Sequence, residues 1–181
     1  MPQRKIITEP NIILRKKSLT LEKVDNELRV LMDDMLETMY AAPGIGLAGV
    51  QVGILKRLIV IDVSVDKEKK NPLFLVNPEI ISKSYNTSVY EEGCLSLPGY
   101  FAEIERPAKC KINYIDYHGK KAELEAEGLL STCVQHEIDH LNVNDTLYMV
   151  PETFQLENVV VSATRWRQNY TSVSQAISVI E

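Results

Sequence analysis

Leu129-Leu130-Ser131-Thr132-Cys133-Val134-Gln135-His136-Glu137-Ile138-Asp139-His140-Leu141 reads as one helix, and its chemistry organises the rest of the chain. Residues four apart lie one turn apart on the same helix face, so His136 and His140 project together and can grip one ion. Glu137, beside the first imidazole, is placed to reach a water on that ion without binding it. This is the H-E-x-x-H arrangement of metal-dependent hydrolases. The bland alternative is a solvated helix with incidental histidines.

Two imidazoles are one donor short of a catalytic site, which keeps three protein donors and an open position for water. The chain has three histidines, and the third, His118, sits beside Gly119 where an exposed turn is expected. The other candidates are Glu157 downstream and the three cysteines. Cys110 opens an alternating strand and reads as core. Cys133 lies one turn before His136 on the same helix and reads as a small apolar lining residue. Cys94 stands out, because Gly93 and Pro98-Gly99 bracket it in turn-prone chain that can aim a side chain and a neighbouring N–H at one point.

Length and composition bound what this helix can belong to. A chain of 181 residues is most simply one domain, able to bury roughly 70% of its unfolded surface. A formal charge of −5 and a pI near 5.3 argue against a general nucleic-acid binder, which needs a basic face. Three cysteines without a CxxC spacing argue against a disulfide framework and for a reducing compartment. The opening MPQRKIITEPNIILRKKSL lacks a signal-peptide core, and no apolar run approaches the roughly 20 residues that span a membrane. The expectation is a cytoplasmic protein of bacterial type, with no membrane and no direct nucleic-acid partner. The opening shows no transit peptide, so an organelle is the lesser reading.

Outward from the central helix, Asp25 can cap a helix over 26–42 whose Leu28, Leu31, Met32, Met35, Leu36 and Met39 paint one apolar stripe. Pro43-Gly44 ends it, and a glycine-spaced turn and extended segment follows through Gln51. Leu58–Val63 reads as a buried strand. Leu73–Val76 and Ile80–Ser82 read as strands separated by a turn at Asn77-Pro78. Lys111–Tyr117 and Lys121–Glu127 read as a hairpin turning at His118-Gly119. Val159, Ala163, Trp166, Tyr170 and Val173 step by 4, 3, 4 and 3, which predicts a helix in a C-terminal extension over 151–181. The extension is taken as part of the same domain as a catalytic region over 1–150.

Three segments in order give the chain a specific resemblance. Gly44–Gln51 has the form G-x-G-x-A-x-x-Q, Glu92–Ser96 the form E-G-C-x-S, and Gln135–His140 the form Q-H-E-x-D-H. Together they resemble the peptide deformylase family, over about residues 4–141. That family removes the formyl group from the N-terminal formylmethionine of new proteins, releasing formate. The resemblance implies an α+β fold of small antiparallel sheets around the metal-binding helix, with the first helix packed outside. It implies that Cys94, His136 and His140 hold one divalent metal, ferrous iron in the cell, with zinc, nickel or cobalt possible in purified protein. It makes Glu137 the general base and then acid, and Gln51 with the Leu95 backbone N–H the oxyanion donors. Gly44, Ile45, Gly46, Glu92, Gly93, Leu129 and Cys133 then belong to the substrate pocket. Glu92 is expected to pair with Arg106, and Asp139 to act as an orienting or structural acid. The implied partners are N-formylmethionyl peptides and, during translation, the ribosome.

The chain departs from the family pattern in places. Gly49 replaces a usual alanine, and Phe101 stands where some members carry a basic residue near the substrate. After His140 the run has no glycine, and Asn144 is expected to cap the helix instead. Residues 151–181 carry two cations, Arg165 and Arg167, little charge for a ribosome-docking helix. Two other readings compete: an H-E-x-x-H endopeptidase with Glu157 as third donor, and a deformylase-like protein without turnover.

Overall fold

The computed structural model describes residues 3–65, 69–142, 152–156 and 159–163. The chain divides into two compact units, Met1–Thr146 and Leu147–Glu181. In the first, helix α1 (Asn26–Ala41) precedes strands β1 (Gly46–Ala48), β2 (Leu58–Ile61), β3 (Leu73–Lys83), β4 (Thr87–Cys94) and β5 (Leu97–Pro107). Strands β6 (Lys109–Ile115) and β7 (Lys121–Glu127) follow, and then helix α2 (Leu129–Leu141). The sheet order is β1-β2-β3-β6-β7, antiparallel throughout, and β4-β5 form a separate hairpin. This is the α+β class expected.

Strand β2 shows why the two helices take opposite faces of the sheet. Successive side chains on a strand point to opposite sides. Leu58 and Val60 join the Met32, Met35 and Met39 cluster of α1, while Ile59 and Ile61 join Val134, Ile138 and Leu141 of α2. All four strand residues are buried, so the segment reads as a continuous apolar run rather than an alternating one. The site helix is thereby clamped against a rigid sheet by about 1.5–3 kcal/mol for each large apolar side chain buried.

Local capping follows the residues. Asp25 Oδ1 accepts from the Leu28 N–H at 2.9 Å and starts α1. Gly128 precedes α2 with φ at 56°, a conformation that favours glycine, and so lets the chain turn sharply out of β7. Asn142 ends α2, its Nδ2 donating to the Ile138 carbonyl at 3.2 Å. The helix is therefore closed before Asn144, the cap expected from sequence, which lies outside the described residues.

Three expectations are corrected. Asn77-Pro78 does not separate two strands, because β3 runs unbroken through it with a register shift between Val76 and Glu79. The Asn77 side chain satisfies both Leu21 backbone groups, at 2.9 and 2.7 Å, so the pair is absorbed as a bulge. Gly93–Gly99, expected as turn-prone around Cys94, lies largely in the β4-β5 hairpin, and only its tip at Leu95-Ser96 turns. In the second unit, strands β8 (Glu152–Leu156) and β9 (Val159–Ala163) pair antiparallel where a helix was expected. The β-branched run Val159-Val160-Val161 favours extended chain over helix. Trp166, Tyr170 and Val173, the rest of that helix pattern, lie outside the described residues.

Candidate metal centre

Helix α2 and the β4-β5 hairpin bring the three candidate donors together. Cys94 sits at the end of β4, His136 and His140 on the inner face of α2, and their donor atoms all lie within 4.8 Å of one another. The Cys94 Sγ is 3.3 Å from His140 Nε2, and the two imidazole rings stand at 77° with centroids 5.0 Å apart. Among the described residues this is the one group of three such side chains close enough to hold an ion.

The surroundings fix each ring. Glu92 Oε2 takes His136 Nδ1 at 2.8 Å, leaving Nε2 as the ring's remaining donor. Arg106 forks onto Glu92 at 2.6 and 3.1 Å and also reaches Asp139 Oδ2 at 2.6 Å. Burial pushes the Glu92 carboxyl up, but hydrogen bonds from His136 and Arg106 outweigh it and hold the group below its ordinary range. His140 is 4% exposed, and burial, with His136 nearby, keeps its imidazole neutral, the form that coordinates. For His136 burial acts the same way, yet hydrogen bonds to Cys94 and Glu92 prevail and raise its pKa to about 10. The pocket between sulfur and carboxylate thus favours positive charge. With a thiolate and two imidazoles as donors, the residues fit a divalent transition ion.

Glu137 is the exception to this tight pairing. It is 4% exposed, and its Oε2 has no hydrogen-bond partner within the protein. Burial raises its pKa to about 7, although His136 pulls the other way. A carboxylate poised near neutrality beside a cation site is suited to exchanging a proton with a small molecule.

A cavity of about 430 Å³ opens onto this group. Gly44, Ile45, Gly46, Glu92, Gly93, Leu129 and Cys133, all expected at the substrate pocket, line it, with Cys94, Leu95, His136 and Glu137. A Cβ at Gly46 would run into Glu137 Oε1 and come within 2.9 Å of Cys133 Sγ, so glycine lets β1 pass directly against α2. Cys133 is held as a neutral thiol by burial and by the Glu137 charge. Gln51 and His140 lie behind the wall, not on it. Gln51 is 1% exposed, and its Nε2 points at Cys94 Sγ from 3.5 Å.

The remaining sequence candidates fall elsewhere. Cys110 is buried in the sheet core against Ser131, and His118 is exposed on the β6-β7 turn. Glu157 lies outside the described residues. Sequence reading gave no role to Ser96, whose hydroxyl meets the Gln51 amide at 3.1 Å, nor to Tyr100, on the cavity wall. Both follow from the hairpin, and a hairpin reading of Thr87–Pro107 would have placed them.

The chain matches the polypeptide deformylase family model over residues 3–149. It belongs to the peptide deformylase family. A peptide deformylase of Pelagibacter ubique is 60% identical over 141 residues, covering 78% of this chain and 82% of that one. One from Rhizobium meliloti is 54% identical over 142 residues, covering 78% and 82%. The solved deformylase of Ehrlichia chaffeensis in complex with actinonin superposes with a TM-score of 0.78 at 42% identity, over 84% of this chain and 91% of that one. The Thermotoga maritima deformylase gives a TM-score of 0.74 at 40% identity, over 79% and 94%. The chain is therefore a hydrolase of protein biosynthesis that removes N-terminal formyl groups, and metal dependence is part of its family. No helix among the described residues is long and apolar enough to cross a membrane.

Proposed function

We propose that this deformylase hydrolyses the formyl amide of formylmethionyl peptides with Glu137 as proton carrier and Cys94, His136 and His140 as the metal donors. The observation that carries this reading is the buried Glu137 carboxylate, its Oε2 without a partner in the protein, beside a Cys-His-His cluster that faces an open cavity. A closed structural site would take four protein donors and need no such group. Ferrous iron is the proposed resident ion, and zinc, nickel or cobalt would suit the same donors. Bound there, a divalent metal would supply Lewis acidity toward the formyl oxygen and toward water.

The chain's own groups do the rest. Glu137 accepts a proton from the water that attacks the formyl carbon, and returns one to the methionine nitrogen as the C–N bond breaks and formate leaves. Gln51 Nε2 and the Leu95 backbone N–H are the donors proposed for the charge that develops on the formyl oxygen. Ile45, Leu129 and Cys133 receive the methionine side chain in their apolar part of the cavity. Gly44 and Gly46 let the chain leading into and along β1 pack against Leu95 and α2, and β1, an edge strand, offers the substrate backbone a partner in strand fashion. Glu92 and Gly93 shape the opposite wall, and Glu92 also holds His136.

The setting proposed is the cytoplasm, where formylated chains are made, since the relatives named above are bacterial. Contact with the ribosome is part of that proposal, and nothing described in residues 147–181 supports it. Glu137→Ala tests the mechanism. The variant should bind metal as the parent does and lose formate release from formyl-Met-Ala-Ser. Normal turnover in that variant would overturn the role given to Glu137.

A further inference from the structure

We infer that Ser96 is a positioning residue for the hydrolysis, its hydroxyl anchoring the Gln51 amide nitrogen so that the second Nε2 proton stays aimed at the metal site. The two ends of a glutamine amide have nearly the same shape, so hydrogen bonds alone decide its orientation. Gln51 Oε1 accepts from the Ala48 N–H at 2.8 Å, and Nε2 donates to Ser96 Oγ at 3.1 Å. The second Nε2 proton is then directed to the Cys94 side, where Sγ lies 3.5 Å away. Turned over, the amide would set its nitrogen against the Ala48 donor and its oxygen toward the sulfur, so the Ala48 N–H decides which end faces Cys94, and the Ser96 hydroxyl then holds that nitrogen in place. Ser96 is 2% exposed and Gln51 1%, so water does not readily replace a missing partner.

The backbones of the two residues are tied by a third segment. Ile7 N–H donates to the Gln51 carbonyl at 2.7 Å, and Glu9 N–H to the Ser96 carbonyl at 3.0 Å. Residues 7–9 thus bridge the turn carrying Gln51 and the hairpin tip carrying Ser96. The main chain sets their separation, the Ala48 N–H orients the amide, and the serine hydroxyl anchors its nitrogen. This inference rests on the reading of Gln51 as an oxyanion donor.

The test is a double-mutant cycle on the metal-loaded enzyme: Ser96→Ala, Gln51→Ala and the pair, assayed for kcat and KM on formyl-Met-Ala-Ser alongside bound metal. Ser96→Ala should lower kcat about tenfold, the size of one ordinary hydrogen bond, with KM and metal content unchanged. In the Gln51→Ala background it should cost nothing further. A slow Gln51→Ala with a Ser96→Ala at parental rate, or an equal Ser96→Ala loss in both backgrounds, would overturn the inference alone. Parental turnover in Gln51→Ala would overturn the underlying reading of Gln51 as well. If Ser96→Ala does not fold, Ser96→Thr and Ser96→Val decide, since they share a shape and differ by the hydroxyl. Thr should outpace Val about tenfold, and equal rates would refute the role.

Discussion

Arg106 shows how much of the metal site depends on a residue that touches no donor atom. It neutralises Glu92 and Asp139 at once, from 2.6 Å in each case, and Glu92 in turn fixes His136. Removing the guanidinium leaves two carboxylates competing near one imidazole. Arg106→Ala should weaken metal affinity by about 10–100-fold, measured by competition with a chelator. Arg106→Lys should recover only part, since an ammonium cannot fork across a carboxylate. Unchanged affinity in Arg106→Ala would contradict this coupling. His136, Glu137 and His140 were legible in the sequence because helix periodicity alone brings them together. Cys94 stood out among the open donors through its bracketing Gly93 and Pro98-Gly99, and the family resemblance made it specific. Nothing local told that its hairpin would fold back over α2. Ser96 went unread for the same reason.

At the level of elements, helices α1 and α2, strand β2 and the β6-β7 hairpin were legible, since their apolar stripes and turn residues agree with their tertiary places. The β4-β5 hairpin was not, because Glu91-Glu92-Gly93 and Pro98-Gly99 carry turn chemistry inside a strand pair. The C-terminal pattern failed similarly: its period suggested helix, but its β-branched residues pair as strands. The connection from β2 to β3 supplies the prediction at this scale. Tyr40 at the end of α1 donates to Asp62 Oδ2 at 2.6 Å, and Ser64 and the Asn71 N–H bind the same carboxylate. The Asp62 N–H also holds the Ile45 carbonyl at 2.9 Å, beside the cavity. Burial pushes the Asp62 carboxyl up, but these hydrogen bonds prevail and its pKa lies below the ordinary aspartate value. A depressed folded-state pKa favours the charged form. Its stabilisation is therefore complete above the unfolded aspartate pKa and lost as pH falls through the folded one. Asp62→Asn should be less stable than the parent to denaturant at neutral pH, with the gap narrowing in acid. A gap independent of pH would refute the assignment.

At the scale of the first unit, a sheet is sandwiched between two helices, α2 faces the β4-β5 hairpin, and the cation site lies where they meet. An ion bound by the folded chain and not by the unfolded one stabilises the fold by mass action. Stripping the metal should therefore abolish formate release and lower the melting temperature by roughly 5–10 °C, the shift expected for an ion at a hundredfold excess over its Kd. Readdition of ferrous iron without oxygen should restore both, and a fully active stripped protein would exclude a metal role. The most direct test of the account is X-ray absorption on the zinc-loaded protein and its Cys94→Ser variant. The parent should show one sulfur at about 2.3 Å and two imidazole nitrogens at about 2.0–2.1 Å, with the sulfur shell lost in the variant. A parent spectrum without sulfur, or one with four protein donors closing the ion, would contradict a Cys94-His136-His140 site with room left for water.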